Sequence, residues 1–196
     1  MEQKITIMEK LLLSGKKVFT ISDLAVIWQI SERRKLIERI KYYLRMNRFI
    51  HVYKGVYAYG SDYTPLDIAQ KLIPLSYISL YTTSQMYGLT FQFYSSIYCV
   101  SLKSKKYTIN KQSYIYSKVK ETIFYNPIGL INNGRYIMAD KERTICDCLY
   151  VFPGFAFDNL KGIDTEKLYA LSRIYNNKRL EREVDGIIKT LESKSL

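Results

Sequence analysis

Phe19–Gly60 reads FTISDLAVIWQISERRKLIERIKYYLRMNRFIHVYKGVYAYG, and the order of its signals decides the fold. Thr20 or Ser22 can cap a helix whose first turn holds Asp23, with Leu24, Ile27 and Trp28 as its buried face. Gln29-Ile30 makes a tight turn and Ser31 caps the next helix, with Glu32 favourable beside its N-terminus. Leu36, Ile37, Ile40 and Leu44 line one side of that helix, while Arg34, Lys35, Glu38, Lys41, Tyr42 and Arg45 occupy the other. Two β-type runs follow, Phe49–Tyr53 and Val56–Tyr59, joined by Lys54-Gly55 as a two-residue loop in which glycine supplies positive φ. Helix, turn, basic helix and tight hairpin together predict a winged helix-turn-helix.

In that arrangement the start of the second helix reaches base edges in the major groove, and Arg33, Arg34 and Lys35 stand there. Arginine forms bidentate bonds to guanine or grips phosphate as a fork. The expected DNA-contacting set is Ser31, Arg33, Arg34, Lys35, Glu38, Tyr42 and Arg45 on the helix and Lys54 on the wing. Taken alone, the same charges equally describe a solvated helix face. Trp28 reads as core packing, and His51, the single histidine, as a half-buried strand residue.

Charge agrees with an anionic partner. The 196-residue chain carries a formal charge of +12. Residues 1–60 hold 12 Lys/Arg against 5 Asp/Glu, a net of +7, and residues 61–196 hold 18 against 13, a net of +5. Nucleic acid is the first candidate partner and an acidic membrane surface the second. Apolar residues at 47% are enough to build a core. Three cysteines (Cys99, Cys146 and Cys148), no apolar leader in MEQKITIMEK and no long apolar run point to a cytoplasmic protein without a membrane span.

Before the deciding stretch, Ile5, Met8, Leu11, Leu12 and Leu13 form an apolar helical stripe ended by Ser14-Gly15, and Val18–Thr20 is extended. After it, residues 60–65 read as a linker, so the domains are expected at 1–61 and 62–196. Pro65 to Ile73 predicts an amphipathic helix stopped by Pro74, and Tyr77–Leu89 a Ser-capped helix ended by Gly88. Ile97–Leu102, Tyr107–Ile109, Tyr114–Tyr116, Thr122–Tyr125 and Tyr136–Met138 predict strands, with a turn at Asn132–Gly134. Asp140 caps a helix through Tyr150, and two more follow, one capped at Asp164 and one from Lys178 to Leu191. The second domain is thus a mixed α/β body with a small sheet and terminal helices, and the whole chain is α+β. Six lysines and no acid lie between Lys103 and Lys120. They read either as edge-strand protection or as a second surface for an anionic partner.

Catalytic chemistry finds no foothold. Cys146 and Cys148 lie two apart on a helix, about 200° around its axis, so they do not share a metal. A single histidine leaves no credible Ser/His/Asp set, and no glycine-rich phosphate loop is present. Gly60-Ser61 resembles the start of a nucleotidyltransferase site, but Gln70-Lys71-Leu72-Ile73 stands where two metal-binding carboxylates belong. Asp140, Glu142 and Asp147 read as caps and hydrogen-bond acceptors. No catalytic residue, cofactor or metal is expected.

Three blocks, KGVYAYG at 54–60, YISLYTTSQMYGL at 77–89 and YIMADKERTICDCLY at 136–150, resemble the AbiEi family of antitoxins in order and spacing from about Ile5 to Leu191. The resemblance implies an antitoxin of a type IV toxin–antitoxin system, a class linked to abortive phage defence. Its winged domain would bind inverted repeats in its own promoter and repress the operon. Its C-terminal domain would oppose an AbiEii-type nucleotidyltransferase toxin. The alternatives are a non-catalytic module that neutralises a partner by direct contact, and a stand-alone winged-helix regulator.

Overall fold

The computed structural model describes residues 6–193, which form a mixed α+β structure of two compact units. Ile5, expected in the first helical stripe, lies outside the described residues.

The first unit runs to Pro74 and includes residues 133–135. It begins with α1 (Ile7–Leu13), β1 (Val18–Thr20), α2 (Ile21–Trp28) and α3 (Arg33–Arg45). The hairpin β2 (Phe49–Tyr53) and β3 (Val56–Tyr59) and then α4 (Pro65–Leu72) complete it. Three strands form an antiparallel sheet in the order β1-β3-β2. Thr20 is the α2 cap: its Oγ1 accepts from Asp23 N at 3.0 Å, and Asp23 Oδ2 accepts from Thr20 N at 2.8 Å. Gln29 closes α2 in the left-handed region at φ 57°.

Three local expectations need correction. Glu32, not Ser31, is the N-cap of α3, and it makes no side-chain cap bond. Its carboxylate instead meets Lys35 Nζ at 2.7 Å. Of the α1 stripe, Leu11 is buried but Leu12 and Leu13 are exposed. A seven-residue helix on the surface of the unit has room for a single buried row. His51 is exposed rather than half-buried.

Leu11, Phe19, Leu24, Trp28, Leu36, Ile40 and Phe49 make the core of this unit. Trp28 stacks on Phe49 with ring centroids 5.8 Å apart and planes 5° apart, and Tyr43 lies against both rings. The helix α4 packs on β1, and Lys71 Nζ reaches Asp23 Oδ2 at 2.8 Å. Residues 62–74 therefore cluster with the first unit, whereas the linker reading places them at the head of the second domain.

The second unit contains β4 (Ser76–Ile78), α5 (Tyr81–Met86), β5 (Ile97–Ser101), β6 (Lys105–Ile109), β7 (Gln112–Lys118) and α6 (Glu121–Phe124). It continues through β8 (Leu130–Asn132), β9 (Ile137–Ala139), α7 (Lys141–Val151), α8 (Thr165–Ile174) and α9 (Lys178–Ser193). Its six-stranded sheet has the order β6-β7-β5-β4-β9-β8, with β5·β7 and β4·β9 parallel and the other pairs antiparallel.

Two predictions fail here. Tyr77–Leu89 is not one helix: its first residues form β4, and the chain turns at Leu80 (φ 60°, ψ −136°) before α5 begins. Buried β-branched and aromatic residues favour a strand there, and the fully buried Leu80 side chain holds the turn. Thr122–Phe124 lies in the short helix α6, with Tyr125 as its C-cap, rather than in a strand.

A buried ionic network links these elements. Arg143 on α7 is fully buried and lies 3.7 Å from Asp147 one turn later. Its guanidinium donates to the carbonyls of Ile123 at 2.7 Å and Ile128 at 2.9 Å, and to Tyr77 Oη at 3.2 Å. Asp147 accepts from Tyr77 at 3.1 Å, Ser79 at 2.7 Å and Tyr175 at 2.7 Å. Burial raises the Asp147 pKa above its ordinary 3.8, and Arg143 and the three hydroxyls oppose that rise.

Breaking such a pair strands a buried charge. Asp147→Ala is expected to lose roughly 3–5 kcal/mol of stability. Arg143→Met with Asp147→Leu is expected to lose less than the single change. Urea unfolding of the three proteins checks this, and a double variant weaker than Asp147→Ala contradicts it.

Candidate nucleic-acid interface

The helix α3 is held by one side. Leu36 and Ile40 are buried, and Ile37, Tyr43 and Leu44 pack partly against the core. Its other side is open. Ser31, Arg33, Arg34, Lys35, Glu38, Tyr42 and Arg45 are all exposed, as is Lys54 at the hairpin tip.

Helical spacing sorts the exposed residues into two neighbouring rows, Arg34-Glu38-Lys41-Arg45 and Lys35-Arg39-Tyr42. Arg33 belongs by spacing to the row of Ile37, Ile40 and Leu44, and stays in solvent because it opens the helix. Arg39 is exposed on the second row and absent from the expected set. Its position four residues after Lys35 is the signal that would have found it.

Two of the cations carry partners of their own. Arg34 Nε lies 3.2 Å from Glu38 Oε1, and Lys35 Nζ 2.7 Å from Glu32 Oε2. The Arg34 side chain is 86% exposed and that of Glu38 63%. An exposed pair of this kind contributes under about 1 kcal/mol, so exchanging the carboxylate for a phosphate costs little. Beside the second row runs a groove of about 580 Å³, lined by Ile7, Trp28, Ile30, Lys35, Arg39 and Tyr42 among others.

The hairpin is fastened near its tip. Ile21 N donates to Gly55 O at 3.1 Å, and Gly55 has φ 72°. A Cβ there would sit 3.4 Å from Ile21 Cδ1. A bulge between His51 and Tyr53 adjusts the register just before the turn. Lys54 is thus carried on an anchored backbone while its side chain stays in water.

The three cysteines and Asp140 lie within the packed structure. Cys99, Cys146 and Cys148 are free and buried, and burial pushes each thiol up, away from the reactive thiolate. Among the described residues no three His, Cys, Asp or Glu stand close enough to hold a metal ion. Asp140 caps α7 by accepting from Arg143 N at 2.8 Å. Lys167 bridges Asp140 at 2.6 Å and Glu142 at 3.0 Å, which ties α8 to α7. Among the described residues no helix is long and apolar enough to cross a membrane.

Neither a protein-family model nor a curated protein matches this chain. The interface therefore rests on its geometry and charge. Glu38→Gln frees Arg34 and removes an acid from the cationic row. It is expected to tighten binding to duplex DNA of scrambled sequence several-fold and to shift unfolding free energy by less than about 0.5 kcal/mol. Fluorescence anisotropy and urea unfolding of the variant measure the two effects.

Proposed function

We propose that the first unit is a winged helix-turn-helix that reads operator DNA with α3 in the major groove. The element order α1-β1-α2-α3-β2-β3 and the sheet order β1-β3-β2 support this reading. The observation that carries it is the fully open cationic side of α3 opposite a firmly buried one. Arg34, Lys35 and Arg39 are the base or phosphate contacts, and Lys54 grips the flanking backbone.

On this reading the chain is a cytoplasmic antitoxin of the AbiEi type that represses its own operon, and its second unit opposes a nucleotidyltransferase toxin. The resemblance of three sequence blocks supports the antitoxin role. It is a binding protein rather than an enzyme, with no cofactor.

Arg34→Ala is expected to weaken operator binding by roughly 1–3 kcal/mol if that residue reads a base. For the unaltered chain, log K should fall with log salt by about 0.9 for each phosphate neutralised. Equal binding of wild type and variant to operator and scrambled duplexes removes Arg34 from the reader.

A specific feature favours direct contact with the toxin over opposition at a distance. Phe91 and Phe93 are 78% and 84% exposed on the segment between α5 and β5. That segment is pinned: Phe91 N donates to Asp158 Oδ2 at 2.7 Å, and Leu89 O accepts from Asp158 N at 2.9 Å. Exposed aromatics on an ordered backbone are suited to anchoring a protein partner. Phe91→Ser with Phe93→Ser is expected to abolish growth rescue against the neighbouring toxin gene while operator binding stays intact. Full rescue by that variant argues against direct contact through these rings.

A further inference from the structure

The β6–β7 hairpin carries the second concentration of positive charge. Its two strands pair from Lys105↔Tyr116 to Ile109↔Gln112, and Asn110-Lys111 closes the turn with φ 48° and 68°. Lys103, Lys105, Lys106, Lys118 and Lys120 gather at the open end, and Lys111 stands at the tip. All six are exposed, and among the described residues none is in an ion pair. Glu121, directly after Lys120, is the acid nearest in sequence.

The backbone beneath these lysines is ordered. Lys103 N donates to Ser101 Oγ at 3.2 Å, Lys118 N to Ser104 Oγ at 3.3 Å and Val119 N to Ser101 O at 3.1 Å. Val119 is buried, which leaves Lys118 and Lys120 outside on either side of it.

Edge protection accounts for only part of the set. One of the two edge strands of the sheet is β6, so Lys105 and Lys106 discourage another strand from pairing there. Lys103, Lys111, Lys118 and Lys120 are not on that strand. A protein partner fits poorly as well. No large apolar side chain from Ile97 to Phe124 is exposed, and the centres of protein interfaces are rich in aromatics and poor in lysine. Lysines interleaved with serine, threonine and asparagine match the polar, unspecific contacts made to sugar and phosphate. From Lys105 to Lys111 the hairpin extends roughly 17–20 Å at about 3.4 Å per residue. That length follows several phosphates of one strand.

We propose that the β6–β7 hairpin is a second nucleic-acid site, one that grips the phosphate backbone without reading bases. The site lies wholly in the second unit and does not depend on how α3 is used.

The test uses the full chain and a labelled duplex of scrambled sequence, roughly 20 bp long, titrated over a series of salt concentrations. The variant Lys103→Gln, Lys105→Gln, Lys118→Gln, Lys120→Gln is compared with wild type and with the same four positions changed to Arg. All four side chains are exposed, so the melting temperature should not move, and melts verify this. The Gln variant is expected to bind at least tenfold more weakly at moderate salt. Its slope of log K against log salt should be shallower by about 0.9 for each lysine that meets a phosphate. The Arg version should restore both. Arg34→Ala, measured alongside on this duplex and on the operator, should lose operator preference yet keep the hairpin contribution, which separates failure of this site from failure of the α3 reading. Unchanged affinity and slope in the Gln variant overturn the proposal. So does binding of the six-lysine hairpin to anionic phosphatidylserine vesicles with no loss on DNA.

Discussion

The first unit depends on how α3 is anchored. Leu36 and Ile40 enter a core already braced by Trp28 stacked on Phe49, and Tyr43 closes over both rings. Each such side chain stabilises by about 1.5–3 kcal/mol when buried. The exposed pairs Arg34–Glu38 and Lys35–Glu32 contribute under about 1 kcal/mol each. The apolar side therefore sets the orientation of the helix, and the charged side follows from it. Residues on that outer side are free to answer to a ligand rather than to folding.

The second unit is organised around a charge instead. Arg143 is fully buried, and carbonyls from Ile123 and Ile128, the Tyr77 hydroxyl and the Asp147 carboxylate surround it. The route past it requires Gly129. A Cβ at that position, where φ is 78°, would come within 2.7 Å of Arg143 Cβ. An apolar filling of similar volume is often as stable as a buried ion pair. What the charge adds is a set of directional bonds that join β4, α6, α7 and the end of α8. The hydroxyls of Tyr77 and Ser79 come from the β4 segment and that of Tyr175 from the end of α8, and all three converge on the one Asp147 carboxylate.

Periodicity makes α3 and the hairpin of the first unit legible in the sequence. The stripe Leu36-Ile40-Leu44 and the Lys54-Gly55 turn each have a local cause, and those elements stand where they are expected. Ser31 and Glu32 compete for the cap of α3, and Glu32, which takes it, is paired with Lys35. The errors in the second unit have a different origin. Tyr77-Ile78 and Thr122-Ile123-Phe124 are strand formers by residue type, yet the first pair is strand and the second run helix, so contacts distant in sequence decide between the two. Ser101 and Val100, which pair with Ser76 and Tyr77, are more than twenty residues away. No local pattern announces that pairing. The same holds for Arg143, whose neighbours Glu142 and Asp147 make it look like part of a surface charge pattern in the linear chain.

The two cationic surfaces differ in a way that bears on what each can do. On α3 the cations are interrupted by Glu38, in the middle of the row Arg34-Glu38-Lys41-Arg45. An acid there weakens attraction to any phosphate, so a surface built only for the backbone has no use for it. It is compatible with a groove-facing helix, where a glutamate accepts from a cytosine amino group or holds an arginine at the angle a guanine needs. The β6–β7 hairpin has no such interruption and uses lysine, a compact point charge without the planar fork of arginine. On the reading proposed, the first surface gives up affinity for selectivity and the second supplies affinity without selectivity. A protein that must locate one site among many sequences benefits from both, because the unspecific term keeps it on the polymer while the specific term decides where it stops.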